Sequence, residues 1–283
     1  MTSSKSPARR RFPLPLDQVR GAEGTAAARN DVQRPQRMVQ GAVADAGRQR
    51  TPVGLGLDSA TVRSRMVARL RSLGVADERV LAAFARVERH RFVDSALANQ
   101  AYEDTSLPIG FGQTISKPSI VGQMLQALLE GRSAAGAGNE AAGSRPPVLR
   151  RVLEIGTGCG YQAALLAVLA EQVVSIERVG ALAEKARANL AASLVRNVHV
   201  MHGDGRLGAP ELGPFDAIVS AAGGDELPAV WLEQLAVGGR LVAPGAELRA
   251  GVQELVVVDR HPSGVTRRLA GEVYFVPLKS GAE

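Results

Sequence analysis

Apolar residues along the chain follow two periodicities, and where each one holds predicts the elements. Val62, Met66, Val67, Leu70 and Leu73 recur at the spacing of one helix face. Asp58 or Ser59 can cap that helix, and Gly74 ends it. A second helix follows Asp77 and carries Val80, Leu81, Phe84 and Val87 before the chain runs into Arg91, Phe92 and Val93. A third covers residues 120–129. From residue 152 onward short apolar runs alternate with helical ones, giving strands at 152–155, 173–176 and 198–201 and helices at 162–170 and 181–192. Runs at 217–220, 240–242, 254–258 and 273–276, with a helix at 229–235, extend the series to about seven strands. Strands separated by helices imply an α/β fold, a doubly wound and mostly parallel sheet, with a small helical N-terminal subdomain beside it.

Two stretches show neither periodicity. Residues 1–57 mix Arg, Gln, Ala, Gly and Pro and lack the apolar surface that would offset the entropy of ordering, so they are expected to form a disordered tail. Residues 131–147, rich in Gly, Ala and Pro, are expected to be a flexible surface insertion. The chain therefore divides into the tail, a helical subdomain with the loop that follows it (58–130), the insertion, and an α/β domain (148–283).

Charge changes the picture only at one end. The net charge is +6 and the pI about 10.1, but Arg9, Arg10, Arg11, Arg20, Arg29, Arg34, Arg37, Arg48 and Arg50 concentrate the excess in the tail. Nucleic acid is thus an unlikely partner except through that tail, and aromatic residues, 4% of the chain, are too few for a base-stacking platform. Trp231 with Val230, Leu232 and Leu235 reads as the packing face of a helix. Cys159 is the only cysteine, so no disulfide can form within the chain and a reducing cytoplasm suits it. No apolar run approaches the roughly 20 residues of a membrane-spanning helix. No exposed heptad or long apolar edge is visible, which points to a monomer.

The chemistry begins at Val152-Leu-Glu-Ile-Gly-Thr-Gly-Cys-Gly160, a strand entering a glycine-rich turn and then a helix. Glycines at Gly156, Gly158 and Gly160 permit positive φ and close approach of a ligand. Their spacing differs from the G-x-G-x-x-G that seats a dinucleotide pyrophosphate, which disfavours a nicotinamide cofactor. Glu177 ends the next strand about 20 residues on, where an acid can accept hydrogen bonds from both ribose hydroxyls. Asp204 and Gly205 follow the third strand, suited to an adenine amino group and to a ring lying close, although Asp-Gly is also ordinary turn chemistry. Three successive strand ends converge on one crevice. The four histidines show no metal-ligand spacing, and no metal is expected.

Beyond the glycine turn, the segments Arg91-Phe-Val-Asp94, Ala101-Tyr-Glu-Asp104, Leu107-Pro-Ile-Gly110, Gln113-Thr-Ile-Ser-Lys-Pro118, His202-Gly-Asp-Gly205, Pro214-Phe-Asp-Ala217 and Phe275-Val-Pro-Leu278 resemble the protein-L-isoaspartate O-methyltransferase family over about residues 66–278. The Leu-Pro-Ile-Gly and Gln-Thr-Ile-Ser pairing is the part most particular to that family. The resemblance implies a seven-stranded, Rossmann-like methyltransferase sheet and S-adenosyl-L-methionine as methyl donor. It implies methyl esterification of the α-carboxyl of L-isoaspartyl residues, with isoaspartyl-containing proteins and peptides as partners. Ser116 matches the family's active-site serine, and Gln113, Thr114 and Ile115 share its substrate loop. Glu154, in the strand before the turn, joins Gly156, Gly158, Gly160, Glu177, Asp204 and Gly205 as cofactor candidates. A methyltransferase of the same fold acting on a small molecule or nucleic acid is the competing reading, because fold alone does not fix the acceptor. A cofactor-binding protein that has lost turnover is a further one, against which the intact Ser116, Glu177 and Asp204 argue.

The reaction demands little proton transfer, since the acceptor carboxylate is ionised at neutral pH and the donor sulfonium is an activated leaving group. Positioning should dominate. Cys159, inside the glycine turn, reads as a small residue at a helix start and not as a nucleophile, although helix N-termini lower thiol pKa values and oxidation could follow. In the run Ala221-Ala-Gly-Gly-Asp-Glu-Leu-Pro228, glycine stands after the alanines where relatives tend to have proline, which should loosen the loop over the crevice.

Overall fold

The computed structural model describes residues 60–132, 149–224, 226–249 and 252–283. The basic tail, the Asp58 or Ser59 cap and the insertion from residue 133 lie outside the described residues.

Helix α1 (Ala60–Ser72) buries Met66 and Leu70, and α2 (Glu78–Arg86) is capped by Asp77, whose side chain accepts a hydrogen bond from the Arg79 backbone N–H at 2.9 Å. Two 3-10 turns, Arg89–Phe92 and Ser95–Gln100, lead to a short antiparallel hairpin of β1 (Leu107–Gly110) and β2 (Gln113–Ile115). Helix α3 (Pro118–Leu129) starts on its proline, whose missing N–H costs nothing at that position. The main alternation then runs β3 (Leu149–Ile155), α4 (Tyr161–Leu169), β4 (Ala170–Glu177), α5 (Gly180–Ala192), β5 (Val198–His202) and β6 (Phe215–Ser220). A two-residue strand β7 (Ala222–Gly223), helix α6 (Ala229–Gln234), β8 (Leu235–Arg249), β9 (Val252–His261), β10 (Gly264–Val273) and β11 (Val276–Pro277) complete it.

The central sheet has seven strands in the order β10-β9-β8-β6-β3-β4-β5. The five from β8 to β5 are parallel, and β9 and β10 extend the edge in antiparallel fashion. The doubly wound, mostly parallel expectation holds. The final strand differs from the expectation: residues 264–273 form the edge, not the apolar run 273–276. The edge strand β10 is solvent-exposed along nearly its whole length, so it carries no apolar alternation to betray it.

Strand alternation divides the core into two. Val152, Val173, Ala217 and Val257 face one side with α1 to α5, including Phe84, Met124, Tyr161 and Leu182. Leu153, Ile176, Ile218 and Val256 face the other with Trp231 and Phe215. The helices before the sheet share the first core with it. Trp231 is buried as expected, its indole N–H donating to the Gly205 carbonyl at 2.9 Å.

Candidate active site

Strands β4 and β6 pair with opposite sides of β3, and the crevice opens at the carboxyl ends where the winding direction reverses. The Gly156 N–H bonds the Ile176 carbonyl, and the Ala221 N–H bonds that of Ile155, so the ends of β3, β4 and β6 are tied at the cavity floor. The turn that follows β3 needs its glycines, for Gly156, Gly158 and Gly160 all take positive φ (87°, 55° and 90°).

A cavity is walled on one side by residues 155–159, 176–179, Gly205, Tyr161 and Gln162, and on the other by residues 112–116 and Ile109 of the hairpin; residues 276–279 and Ala221–Ala222 close the rim. Glu177 is nearly buried on this wall. One of its oxygens accepts from the Gly158 N–H at 2.8 Å and the other from the Val179 N–H at 3.0 Å. Each oxygen keeps a lone pair for a ligand hydroxyl. Gly205 lies close against Ile155, where an added Cβ would approach Cγ2 at 2.6 Å. Gln113, Thr114, Ile115 and Ser116 also line the cavity. Thr114, Ser116, Ala221 and Val276 are shared with an adjoining surface cleft that includes Ser106, Tyr274 and Phe275. The hairpin end of the cavity therefore communicates with the outside of the molecule.

Three of the cofactor candidates do not line the cavity. Gly160 instead caps α4 and packs against Ala186 and Leu190 of α5. Glu154 points to the opposite face of β3 from Ile155, as the two-residue strand period requires, and meets its register neighbour Ser175, whose hydroxyl donates to it. Thr157 and Ser175 hydroxyls share a further bond of 2.6 Å. Burial pushes the Glu154 carboxyl up to about 8, so it is largely neutral at pH 7. Asp204 turns away as well, accepting from the Arg206 N–H at 2.9 Å and the Gly281 N–H at 2.7 Å. Turn capping and a chain segment distant in sequence claim its oxygens, and no periodicity reports such a contact.

Other residues reach the cavity that the sequence reading did not assign. Gln162, in the first turn of α4, lines it with both amide atoms buried and without a partner. Residues 276–279 reach it because β11 pairs in parallel with β7. The Phe-Val-Pro-Leu motif was the available signal for them. That same pairing corrects the expected loose loop, since the Leu278 N–H bonds the Gly223 carbonyl at 2.5 Å and a Cβ on Gly223 would collide with Gln253 at 2.3 Å. Glycine is there for close packing. Cys159 is buried, and desolvation pushes its thiol up to about 11, so the helix-start effect does not produce a thiolate. Among the described residues no group of His, Cys, Asp or Glu could hold a metal ion, and no helix is long and apolar enough to cross a membrane.

The cavity suits a nucleoside joined to an amino acid, given free lone pairs on Glu177, a turn whose glycines at 156 and 158 present bare backbone, and the unpartnered Gln162 amide. Comparison with known proteins agrees. The family model for protein-L-isoaspartate(D-aspartate) O-methyltransferase matches residues 61–283. The chain is 54% identical to a protein-L-isoaspartate O-methyltransferase of Methylibium petroleiphilum, over 100% of both chains. It is 50% identical to one of Leptothrix cholodnii, covering 99% of this chain and 98% of that one. A solved protein-L-isoaspartate O-methyltransferase superposes with a TM-score of 0.65 at 27% identity, covering 77% of this chain and 66% of the other. A candidate enzyme of that name from Plasmodium falciparum, in complex with S-adenosyl-L-homocysteine, gives 0.63 at 24% identity, covering 76% and 97%, a likeness of fold.

Proposed function

Because the chain belongs to the protein-L-isoaspartate(D-aspartate) O-methyltransferase family, we propose that it repairs damaged proteins by methylating the α-carboxyl of L-isoaspartyl residues with S-adenosyl-L-methionine as donor. The observation that carries this reading is the 54% identity to a protein-L-isoaspartate O-methyltransferase over the full length of both chains. It is supported by a cavity whose hairpin wall opens to the surface, as a peptide acceptor needs and a small enclosed acceptor does not.

The donor supplies a methyl group already activated on a sulfonium. In this reading Glu177 accepts the ribose hydroxyls, Gly156 and Gly158 let the backbone approach, and Gly205 leaves room for the flat base. Gln113, Thr114, Ile115 and Ser116 form the acceptor wall, with the Ser116 hydroxyl as a donor to the carboxylate and not a nucleophile. Holding the carboxylate oxygen in line with the methyl can supply roughly 7–11 kcal/mol of the barrier. Glu154, Gly160 and Asp204 support the strand-end wall from behind, shaping the turn and the rim. The enzyme is proposed to act in the cytoplasm, as a monomer, with any nucleic-acid contact confined to the basic tail.

Transfer of labelled methyl to two peptides, identical except for L-isoaspartate or L-aspartate at one position, tests the reading. Base-labile label on the isoaspartyl peptide alone is expected. Equal labelling of both, or of neither while cofactor binds, would move the acceptor elsewhere.

A further inference from the structure

Behind the acceptor wall lies a cation that the mechanism above does not use. Arg89 is fully buried and forms no ion pair among the described residues. Its Nη2 donates to the Thr105 carbonyl at 3.2 Å and to the Ser116 carbonyl at 2.9 Å. Thr105 precedes β1 and Ser116 follows β2, so one nitrogen ties the two ends of the hairpin together. The guanidinium carbon sits 4.9 Å from the centroid of the Tyr161 ring, which itself lines the cavity. Nε and Nη1 are buried with no partner.

A guanidinium is protonated at any physiological pH, and leaving one dry and unpaired is strongly unfavourable. Burial accordingly pushes its pKa down. The Asp104 charge acts on it from a distance, but that carboxylate makes its hydrogen bonds to the Ser119 N–H and hydroxyl, both at 2.8 Å. The guanidinium is therefore left without a direct ion pair beside a cavity whose proposed acceptor is an anion. A carboxylate entering next to Ser116 would be drawn by a field that the protein between them screens less than bulk water does.

We propose that Arg89 is a positioning residue for methyl transfer, fixing the Ser116 end of the hairpin and lending its unpaired charge to the binding of the acceptor carboxylate. It does not line the cavity, so it acts through Ser116 and across Tyr161. The inference rests on the reading that this wall takes the isoaspartyl carboxylate.

The test uses Arg89→Met and Arg89→Lys in the full chain. For each, S-adenosyl-L-homocysteine affinity is measured by calorimetry and kcat and KM are measured with an isoaspartyl peptide. Inhibition by that peptide is also compared with inhibition by its uncharged α-amide analogue. Arg89→Met should raise KM by about tenfold or more, the usual scale for losing a charged partner, and keep the homocysteine-product affinity within about threefold. It should also lose the wild-type preference for carboxylate over amide. Arg89→Lys should recover that preference but not kcat, because a point charge lacks the planar fork. If Arg89→Met does not fold, the lysine variant decides: unchanged kcat, or lost preference, overturns the proposal. Unaltered KM and preference in a folded Arg89→Met overturns it too, as does a parallel loss of cofactor affinity in both variants, which marks a purely structural role. A wild type that methylates neither peptide overturns the functional reading and this inference with it; an active wild type with unaffected variants overturns the inference alone.

Discussion

The two walls of the cavity are built by different means. The strand-end wall is made by the sheet itself, with β3, β4 and β6 locked in parallel register and the glycine turn hydrogen-bonded back to the β4 end. The hairpin wall has only three short cross-strand pairs of its own. It is held from outside: by Arg89 at both its ends, by Asp104 reaching Ser119, and by Lys185 Nζ donating to the Ile109 carbonyl at 2.9 Å. Its tip includes Phe111, exposed and at a positive φ of 54°, a conformation few side chains tolerate. A wall made from a ladder is rigid and suits a constant ligand, whereas one pinned by a few side chains can be adjusted without disturbing the core.

This contrast predicts that damage to the first wall appears in cofactor affinity and damage to the second in the acceptor KM. The largest effect is expected from Glu177→Ala, which removes the proposed ribose acceptor and two backbone bonds. Calorimetry should show cofactor binding weakened by about 1–3 kcal/mol with peptide KM little changed, and unchanged affinity would take Glu177 out of the ribose site.

Behind the same wall, Glu154 offers a pH signature. Its carboxyl is raised from 4.5 to about 8 in the folded chain. Between those values the folded state holds a proton that the unfolded state has released, so stability contributed by this group falls as pH rises and levels off above the folded value. Urea unfolding of Glu154→Gln should show the variant gaining on wild type by at most about 1.4 kcal/mol per pH unit across that window. Parallel pH profiles would mean that Glu154 is charged in the native state.

On the opposite wall, Asp104→Ala frees the Ser119 N–H at the start of α3 and slackens the hairpin base. It should cost about 0.5–2 kcal/mol of stability, the scale of a lost helix cap. Peptide KM should rise while cofactor affinity holds, and a change confined to cofactor affinity would dissolve the distinction between the walls.

What could be read from the chain follows the same division. The strands 152–155, 173–176 and 198–201 lie inside β3, β4 and β5: the buried β3 and β4 leave apolar runs, the edge strand β5 a weaker one, and the glycine turn after β3 leaves a spacing. The hairpin was legible only as the substrate loop of Gln113, Thr114, Ile115 and Ser116, recognised through resemblance. Its fasteners, Arg89 and Lys185, are far away in sequence and have no pattern of their own.

The sequence by itself determined the alternation of strand and helix, the crevice at the strand ends, Glu177 and the glycine turn that line it, and the family to which these segments are similar. Those features are local: they depend on period, spacing and backbone conformation within a few residues. Tertiary structure alone decided that Glu154 faces away beside Ser175, that Asp204 holds Gly281, that Gln162 meets the cavity with its amide unsatisfied, and that an unpaired arginine stands behind Ser116. These outcomes depend on which face a strand presents and which distant groups arrive at it. Hydrogen bonds and desolvation are set by neighbours in space, and a linear pattern does not carry them.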